Sequence, residues 1–284
     1  MDFLNHAETD RIIQEAFRED IGTGDITALS VIAADNISKA KCLIKDEGIL
    51  AGVAFAQRAF FLLDSSLKME TLLQDGTPVK KGDIAFYVSG KTRAILSAER
   101  LILNVMQRMS GIATQTNKVV KLLEGTKCRV LDTRKTTPLI RHLEKWAVFI
   151  GGGTNHRFGL YDMVMIKDNH HDCAGGITAA VTACKKYLSE HNLNLRIEVE
   201  TRNLAEVAEV LEIGGVEVIM LDNMELTTMR QAVEMIDNKA EVEASGGITA
   251  ETILAIAETG VDFISMGALT HSVKSLDISL KAVT

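Results

Sequence analysis

The chain has 284 residues, enough for one large or two modest domains with substantial apolar cores. Apolar residues make up 46% and charged residues 24%, which is ordinary for a globular protein. The formal net charge of −7 argues against a nucleic-acid-binding face, and no apolar run is long enough to cross a bilayer.

The N-terminus and the cysteines favour a cytoplasmic protein. The first ten residues, MDFLNHAETD, lack a basic segment followed by an apolar core, so a secretory leader is not expected. The four cysteines show no CxxC spacing and are interpreted as reduced, mostly structural thiols.

The first predicted domain, residues 1–113, mixes helices with short strands. Apolar spacing predicts helices at 10–20 and 54–64, and turn residues predict short strands within 39–52 and 74–90. The last of these segments looks like the strands of biotinyl and lipoyl carriers. It has no lysine at a hairpin tip, so a small α+β domain is the preferred interpretation.

A long helix is predicted over residues 92–125, with a break at Ser110-Gly111. It leads into the second predicted domain, residues 114–284, where short apolar strands alternate with helices. The six predicted strands are 128–135, 162–168, 195–201, 217–223, 240–247 and 261–267. This alternation predicts a parallel sheet covered by helices. The absence of a GxGxxG turn favours a barrel, either incomplete or with one strand missed.

Polar, charged or glycine residues lie at the end of each predicted strand. They are Thr133, Arg134 and Lys135 at the first, Lys167 and Asp168 at the second, Glu200 at the third, Asp222 at the fourth, Ser245 to Gly247 at the fifth and Gly267 at the sixth. The carboxyl ends of barrel strands meet at one face, where the catalytic residues of such barrels lie. A single charged loop residue is usually only solvated, but six strands that end this way predict a binding site.

The two late glycine turns predict a phosphate site. Segments 245–251 and 266–272 place small residues before expected helix starts, with Thr249 as the candidate N-cap of the first. Backbone N–H groups at such turns bind phosphate, and barrels commonly do this after their last two strands. The alternative is that these glycines only allow tight packing.

Cations are concentrated between residues 134 and 167 of an otherwise acidic chain. They are Arg134, Lys135, Arg141, Lys145, Arg157 and Lys167, and four of the seven histidines (His142, His156, His170 and His171) lie in or beside this stretch. Such local positive charge suits a polyanionic substrate. Zinc is not expected, because neither HExxH nor CxxC spacing occurs. Glu200 and Asp222 are candidates for Mg²⁺, or they orient nearby cations by salt bridges.

Several segments together resemble one family, quinolinate phosphoribosyltransferase. They are SAERLILNVMQRMSGIAT (97–114), DTRKTTP (132–138), LEKWAV (143–148), GGGTNHRFGLYDMVMIKDNH (151–170), EVET (198–201), IMLDN (219–223), EASGGI (243–248) and MGALTHS (266–272). The resemblance implies an N-terminal α/β sandwich followed by an incomplete α/β barrel. It also implies a homodimer or higher homo-oligomer with shared active sites, in which the partner's N-terminal domain closes each barrel mouth.

The family joins quinolinate to phosphoribosyl pyrophosphate with Mg²⁺, giving nicotinate mononucleotide, pyrophosphate and CO₂. The resemblance implies that quinolinate carboxylates bind Arg134, His156, Arg157 and Lys167, and that Arg100 enters from the neighbouring subunit. It implies catalytic roles for Lys135, near the reacting ribose, and for Glu200 and Asp222, which would hold ribose hydroxyls or the metal. A phosphate would lie against Ser245, Gly246, Gly247, Gly267 and His271, and the matched segments add Thr133, Met266 and Ala268 to the substrate-binding residues.

The sequence departs from the family where a glycine often follows TTP, because Leu139 and Ile140 stand there. Three other functions stay open. A relative could use a monocarboxylate such as nicotinate, or be the paralogue associated with molybdate transport genes. Lys167 could form a Schiff base in a different barrel enzyme. The strands within 74–90 could belong to a non-enzymatic carrier.

Overall fold

A computed structural model describes the backbone of residues 6–283 and, apart from His6, their side chains. Residues 1–5, which are half of the segment used to predict that there is no leader, lie outside the described residues. The helices are α1 His6–Ile21, α2 Ile26–Val31, α3 Val53–Leu63, α4 Thr92–Leu122, α5 Arg141–Ile150, α6 Asp168–Ala174, α7 Ile177–Glu190, α8 Leu204–Ile213, α9 Leu226–Ile236, α10 Ile253–Ala257 and α11 Ala268–His271. The strands are β1 Ile37–Ile44, β2 Gly48–Ile49, β3 Lys68–Thr71, β4 Pro78–Val79, β5 Ile84–Lys91, β6 Arg129–Leu131, β7 Val164–Ile166, β8 Ile197–Thr201, β9 Val218–Asp222, β10 Glu241–Ser245, β11 Phe263–Ser265 and β12 Ile278–Ala282.

The chain forms two compact units, neither of which is continuous in sequence. The first contains residues 1–118, 135–152 and 268–284, and the second contains residues 119–134 and 153–267. The boundary between residues 113 and 114 stays a prediction from the sequence.

The first unit contains an antiparallel sheet with the strand order β12-β1-β5-β3. Phe60 of α3 meets Phe86 of β5 edge to face, with ring centroids 6.1 Å apart, so the helix packs on the sheet through a buried aromatic pair. Helix α1 packs on α3, where Arg58 donates two hydrogen bonds to Asp10 at 2.7 and 2.6 Å. The C-terminal strand β12 pairs with β1, so the sheet needs both ends of the chain.

The predicted break at Ser110-Gly111 is wrong, because α4 is continuous from Thr92 to Leu122. Both residues serve close packing instead. The Ser110 hydroxyl accepts a hydrogen bond from the Ala51 N–H at 2.9 Å and donates to its carbonyl at 3.1 Å. A Cβ at Gly111 would stand 2.4 Å from the Lys274 carbonyl oxygen, so only glycine fits this contact.

The second unit contains a six-stranded parallel sheet with the order β6-β11-β10-β9-β8-β7. Helices α7, α8 and α9 follow one another along it, and α8 packs on β8. This confirms the α/β class and all six predicted strands. Thr154 adds a single isolated parallel bridge to Leu131 of β6. Within residues 6–283 the edge strands β6 and β7 do not pair, so the barrel is incomplete.

Thr249 is not the N-cap of the helix after β10. Helix α10 begins at Ile253 with Thr252 at its N-cap, and the Thr249 N–H donates to the Thr252 hydroxyl at 3.1 Å in a preceding turn. Gly246 and Gly247 both have positive φ, at 100° and 60°, and they carry the chain through a wider loop before the helix. Over the described part of the chain, the helices are too short or too polar to cross a membrane.

Candidate active site

Two arginines of the second unit, exposed Arg134 and half-buried Arg157, are near enough for their charges to interact. Burial lowers the pKa of Arg157, and the positive charge of Arg134 lowers it further. The Arg157 side chain is fixed by a hydrogen bond from Nη1 to the Met163 carbonyl at 3.2 Å. Two cations that repel each other in this way make a site that an anion with two negative charges would stabilise.

Asp132 fixes the segment that carries His156 and Arg157. It is fully buried at the end of β6, where Oδ1 accepts from the His156 N–H at 2.9 Å and Oδ2 from Asn155 Nδ2 at 2.5 Å. The neighbouring backbone bond from the Asp132 N–H to the Thr154 carbonyl, at 3.2 Å, holds the same segment against the strand. Asp132 therefore orients the cationic residues without being a predicted site residue.

The His156 ring lies in the barrel interior between two buried carboxylates. Its Nε2 is 3.0 Å from Glu198 Oε2 and 3.2 Å from Glu243 Oε2. Burial raises the pKa of Glu198 to about 7, and the charge of Glu243 adds to this effect. The sequence analysis did not identify either glutamate.

These three residues could be taken for a metal site, because their ligand atoms lie within 4.8 Å of one another. Burial lowers the pKa of His156, but the two carboxylates outweigh burial and raise it to about 10. The Arg157 N–H donates to His156 Nδ1 at 2.7 Å, which favours a neutral ring that carries its proton on Nε2. Nε2 carries a proton in either case and can donate it to the carboxylates, so without a metal ion the cluster is an ion pair or a hydrogen-bonded group.

Lys167, Glu200 and Asp222 meet at the ends of neighbouring strands, as predicted. Lys167 Nζ is 3.0 Å from Glu200 Oε2. Burial raises the pKa of Asp222 and the negative charge of Glu200 raises it further, while the hydrogen bond from Asn223 opposes the shift. Two oxygen donors that repel each other suit a hard divalent cation. The Lys167 ion pair shows that the alternative role of Glu200, orienting a cation, is also realised.

The turn after β10 is tied to the turn after β9. The Asn223 N–H donates to the Ser245 carbonyl at 2.9 Å, and Asn223 Nδ2 donates to Asp222 Oδ2 at 2.7 Å. A Cβ on Gly246 would stand 2.1 Å from Asn223 Oδ1. After β11, the Met266 N–H donates to the Leu131 carbonyl at 2.9 Å, which places Gly267 beyond the end of the sheet.

The other predicted site residues belong to the first unit or join the segments already described. Thr133 follows Asp132 in the second unit, whereas Lys135, Ala268 and His271 are in the first unit. His271 Nδ1 is 2.7 Å from the Ser272 hydroxyl. Arg100 is exposed on α4 and, among the described residues, makes no ion pair, so it does not form the salt bridge with Glu99 or another acid that is the alternative to a role in a neighbouring subunit.

The sequence contains a signal that would have found Glu198 and Glu243. Side chains two residues apart in a strand point to the same face. Glu198 therefore shares the inward face of β8 with Glu200, and Glu243 shares that of β10 with Ser245. A search for polar residues two positions before the predicted site residues Glu200 and Ser245 would have identified both.

Two family models match the chain. The model described as quinolinate phosphoribosyl transferase, C-terminal domain, matches residues 112–281, and the corresponding N-terminal domain model matches residues 25–110.

The chain is also similar to individual relatives over nearly its whole length. A chloroplastic nicotinate-nucleotide pyrophosphorylase (carboxylating) of Arabidopsis thaliana is 51% identical, over 96% of this chain and 82% of the relative. A probable nicotinate-nucleotide pyrophosphorylase (carboxylating) of Bacillus subtilis is 44% identical, over 98% and 94%. The solved structure of the nicotinate-nucleotide pyrophosphorylase from Francisella tularensis has a TM-score of 0.90 and 43% identity, covering 97% of this chain and 96% of that one.

Proposed function

The chain belongs to the quinolinate phosphoribosyltransferase family, and from this premise we propose that it makes nicotinate mononucleotide in NAD biosynthesis. The reaction transfers the phosphoribosyl group of phosphoribosyl pyrophosphate to quinolinate and releases pyrophosphate and CO₂. The observation that carries the proposal is the set of cations at strand ends of the second unit, Arg134, Arg157 and Lys167, in which the charges of exposed Arg134 and half-buried Arg157 repel. Quinolinate is a dianion and relieves that repulsion.

Substrate binding follows from this charge arrangement. The guanidinium groups of Arg134 and Arg157 are planar, and each can donate two parallel hydrogen bonds to a carboxylate. Lys167 adds a third cation on β7's carboxyl end, where Glu200 orients it. The His156 ring is held by Glu198 and Glu243, so it contributes a fixed ring rather than a mobile one.

Glu200 and Asp222 would hold Mg²⁺ or the ribose hydroxyls. The ligand atoms of Glu200 and Asp222 are carboxylate oxygens, which Mg²⁺ prefers, and the charge of Mg²⁺ beside Asp222 would counter the repulsion between the two carboxylates. Bound Mg²⁺ would supply charge neutralisation for the leaving pyrophosphate. Gly246, Gly247 and Gly267 expose backbone for a phosphate, with Ser245, Thr133, Met266, Ala268 and His271 proposed beside it.

The chemistry needs preorganised charge more than a nucleophile. As pyrophosphate leaves, C1 of the ribose gains oxocarbenium character, and each well-placed group contributes roughly 3 kcal/mol to such a step. Lys135 is proposed near this centre. The bond from the quinolinate nitrogen to C1 makes a pyridinium ion. Loss of CO₂ from the carbon next to that nitrogen leaves the electron pair of the broken C–CO₂ bond on this carbon, where the positive nitrogen stabilises it. A proton from solvent then takes the place of the carboxylate, so the proposal needs no pyridoxal cofactor.

The experiment is to measure CO₂ released from carboxyl-labelled quinolinate in the presence of phosphoribosyl pyrophosphate and Mg²⁺. Release should require both substrates, and nicotinate should replace quinolinate poorly as phosphoribosyl acceptor. Equal rates of nucleotide formation with nicotinate and quinolinate would contradict the dicarboxylate assignment. Borohydride trapping with substrate tests the Schiff-base alternative. We expect no trapped adduct, because Lys167 is ion-paired and not in an apolar pocket.

We also propose that active sites are shared in a homodimer, with Arg100 supplied by the neighbouring subunit. Arg100 is exposed, and within the part of the chain that the structure describes it forms no intrachain ion pair. Inactive Arg100→Ala and Lys135→Ala variants, mixed under conditions of subunit exchange, test this. A mixed dimer then has one intact site, so an equal mixture should recover about one quarter of wild-type activity. Exchange without recovery would contradict the shared site.

The last part of the proposal is a cytoplasmic location. It is supported by the cysteines, which are all free in the described structure. Cell fractionation with an antibody against the protein tests it, and recovery with membranes or an organelle would contradict it.

A further inference from the structure

The loop that follows Arg134 is held by three side chains of the first unit, two of which are buried. Residues 135–137, hereafter the 135–137 loop, carry Lys135 at their first position. The Thr270 hydroxyl donates to the Lys135 carbonyl at 2.8 Å. The Thr137 N–H donates to Glu144 Oε2 at 3.1 Å, and Arg108 Nη2 donates to the Thr137 hydroxyl at 3.0 Å.

The three residues that hold the loop also bind one another. Arg108 Nε donates to Glu144 Oε1 at 2.7 Å, and Arg108 Nη2 donates to the Thr270 carbonyl at 3.1 Å. Glu144 and Thr270 are buried, at 1% and 0% exposure. Each of the three comes from a different helix: Arg108 from α4, Glu144 from α5 and Thr270 from α11.

The arrangement is more specific than fold stabilisation requires. A buried carboxylate needs its own charge and lone pairs satisfied, which Arg108 alone could do. Here the second oxygen of Glu144 accepts a hydrogen bond from the Thr137 N–H, and Arg108 donates a further hydrogen bond to the Thr137 hydroxyl. Both ends of a three-residue loop are therefore fixed by hydrogen bonds to groups that are themselves fixed.

We propose that Arg108, Glu144 and Thr270 form a clamp that positions Lys135 for the transfer reaction. This rests on the proposed function, in which Lys135 acts near the reacting ribose. The clamp residues touch the loop and not the substrate, so they are positioning residues. A displacement of about 1 Å at a reacting group lowers rates by up to roughly 100-fold, which is the effect that the clamp prevents.

Two conservative variants separate the clamp from general stability. Thr270→Val removes the hydroxyl and keeps the shape, and Thr270→Ser restores the hydroxyl. Glu144→Gln leaves one carbonyl oxygen to serve both Arg108 and the Thr137 N–H, so one bond must be lost. Asp10→Asn is the matched control for the charge change, because it breaks the Arg58 pair elsewhere in the unit. Thr259→Val is the control for the loss of a buried hydroxyl, because the Thr259 hydroxyl donates to the Ile256 carbonyl at 2.6 Å, away from the loop.

The first measurement is amide hydrogen exchange of the 135–137 loop in the full-length protein, read by mass spectrometry. Exchange should rise in Thr270→Val and Glu144→Gln and stay at the wild-type level in Thr270→Ser and both controls. Unchanged exchange in the two clamp variants overturns the clamp, whatever the activity. This readout decides the clamp even if the wild type releases no CO₂, which would instead overturn the proposed function.

The second measurement is steady-state kinetics at a temperature where every variant is folded. Thr270→Val and Glu144→Gln should lower kcat by about tenfold, with the KM for quinolinate within about threefold of wild type. Thr270→Ser should recover most of kcat. A kcat loss no larger than that of Asp10→Asn and Thr259→Val overturns the positioning role.

Discussion

Gly246→Ala should destabilise the protein more than Gly247→Ala, although the two glycines are neighbours in one loop. Both have positive φ, at 100° and 60°. Alanine in the left-handed region costs about 1–2 kcal/mol of unfolding free energy, and the φ of Gly246 is further from any region that alanine favours. Backbone strain alone therefore predicts a loss of this size at either position.

The surroundings of the two positions differ. A Cβ at Gly247 meets nothing within 4 Å, whereas a Cβ at Gly246 stands 2.1 Å from Asn223 Oδ1 and 2.4 Å from Asn223 Cγ. The amide must rotate away and lose its hydrogen bond to Asp222, which adds about 1 kcal/mol. We expect losses of about 1–2 kcal/mol for Gly247→Ala and about 2–3 kcal/mol for Gly246→Ala.

Urea unfolding of the two variants measures these losses, and Asn223→Gly isolates the clash. Without the Asn223 side chain, Gly246→Ala should cost about as much as Gly247→Ala, so the double-mutant cycle should give a coupling of about 1 kcal/mol. A coupling below about 0.5 kcal/mol would show that the amide does not limit this position. Gly246→Val should also raise the KM for phosphoribosyl pyrophosphate, because the backbone could no longer approach the phosphate.

Three further predictions concern packing, strain and thiol chemistry. Gly111→Ala should lower the unfolding free energy by about 1–3 kcal/mol despite the better helix propensity of alanine, because the new Cβ would meet the Lys274 carbonyl oxygen at 2.4 Å. The control is exposed Asn104→Ala in the same helix, which should be neutral or stabilising. Stabilisation by Gly111→Ala would contradict this reasoning. Leu139→Gly should raise Tm. Leu139 has a φ of 69° and is 79% exposed, so the relief of about 1–2 kcal/mol of left-handed strain should exceed the small stabilisation that the side chain gains from burial. A lower Tm would argue against strain at this position. Burial raises the pKa values of Cys42 and Cys128 to about 12, so at pH 8 a thiol reagent should label exposed Cys173 before unfolding and these two only after it, as peptide mapping would show.

The sequence by itself determined the elements of the second unit. Short apolar runs that alternate with helical stretches are local features, so they predicted all six strands and helices between most of them. The polar residues at strand ends were equally readable, because parallel strands must bring their carboxyl ends to one edge. Lys167, Glu200 and Asp222 met there for that reason.

Contacts between distant segments were decided only by the tertiary structure. Ser110-Gly111 carries a local signal for a helix break, yet the helix continues because Ala51 and Lys274 approach it. Strand β12 joins the sheet of the first unit from the other end of the chain, and no local pattern encodes its partner.

The environment of individual side chains was also a tertiary property. The resemblance implied that His156 holds a quinolinate carboxylate, and only the structure showed that two glutamates from different strands contact its ring. Leu139 was recognised as a departure from the family, and only the backbone showed that it adopts the left-handed conformation where glycine is favoured. Local propensity determines which elements form, whereas pKa, strain and loop position depend on residues that only folding brings together.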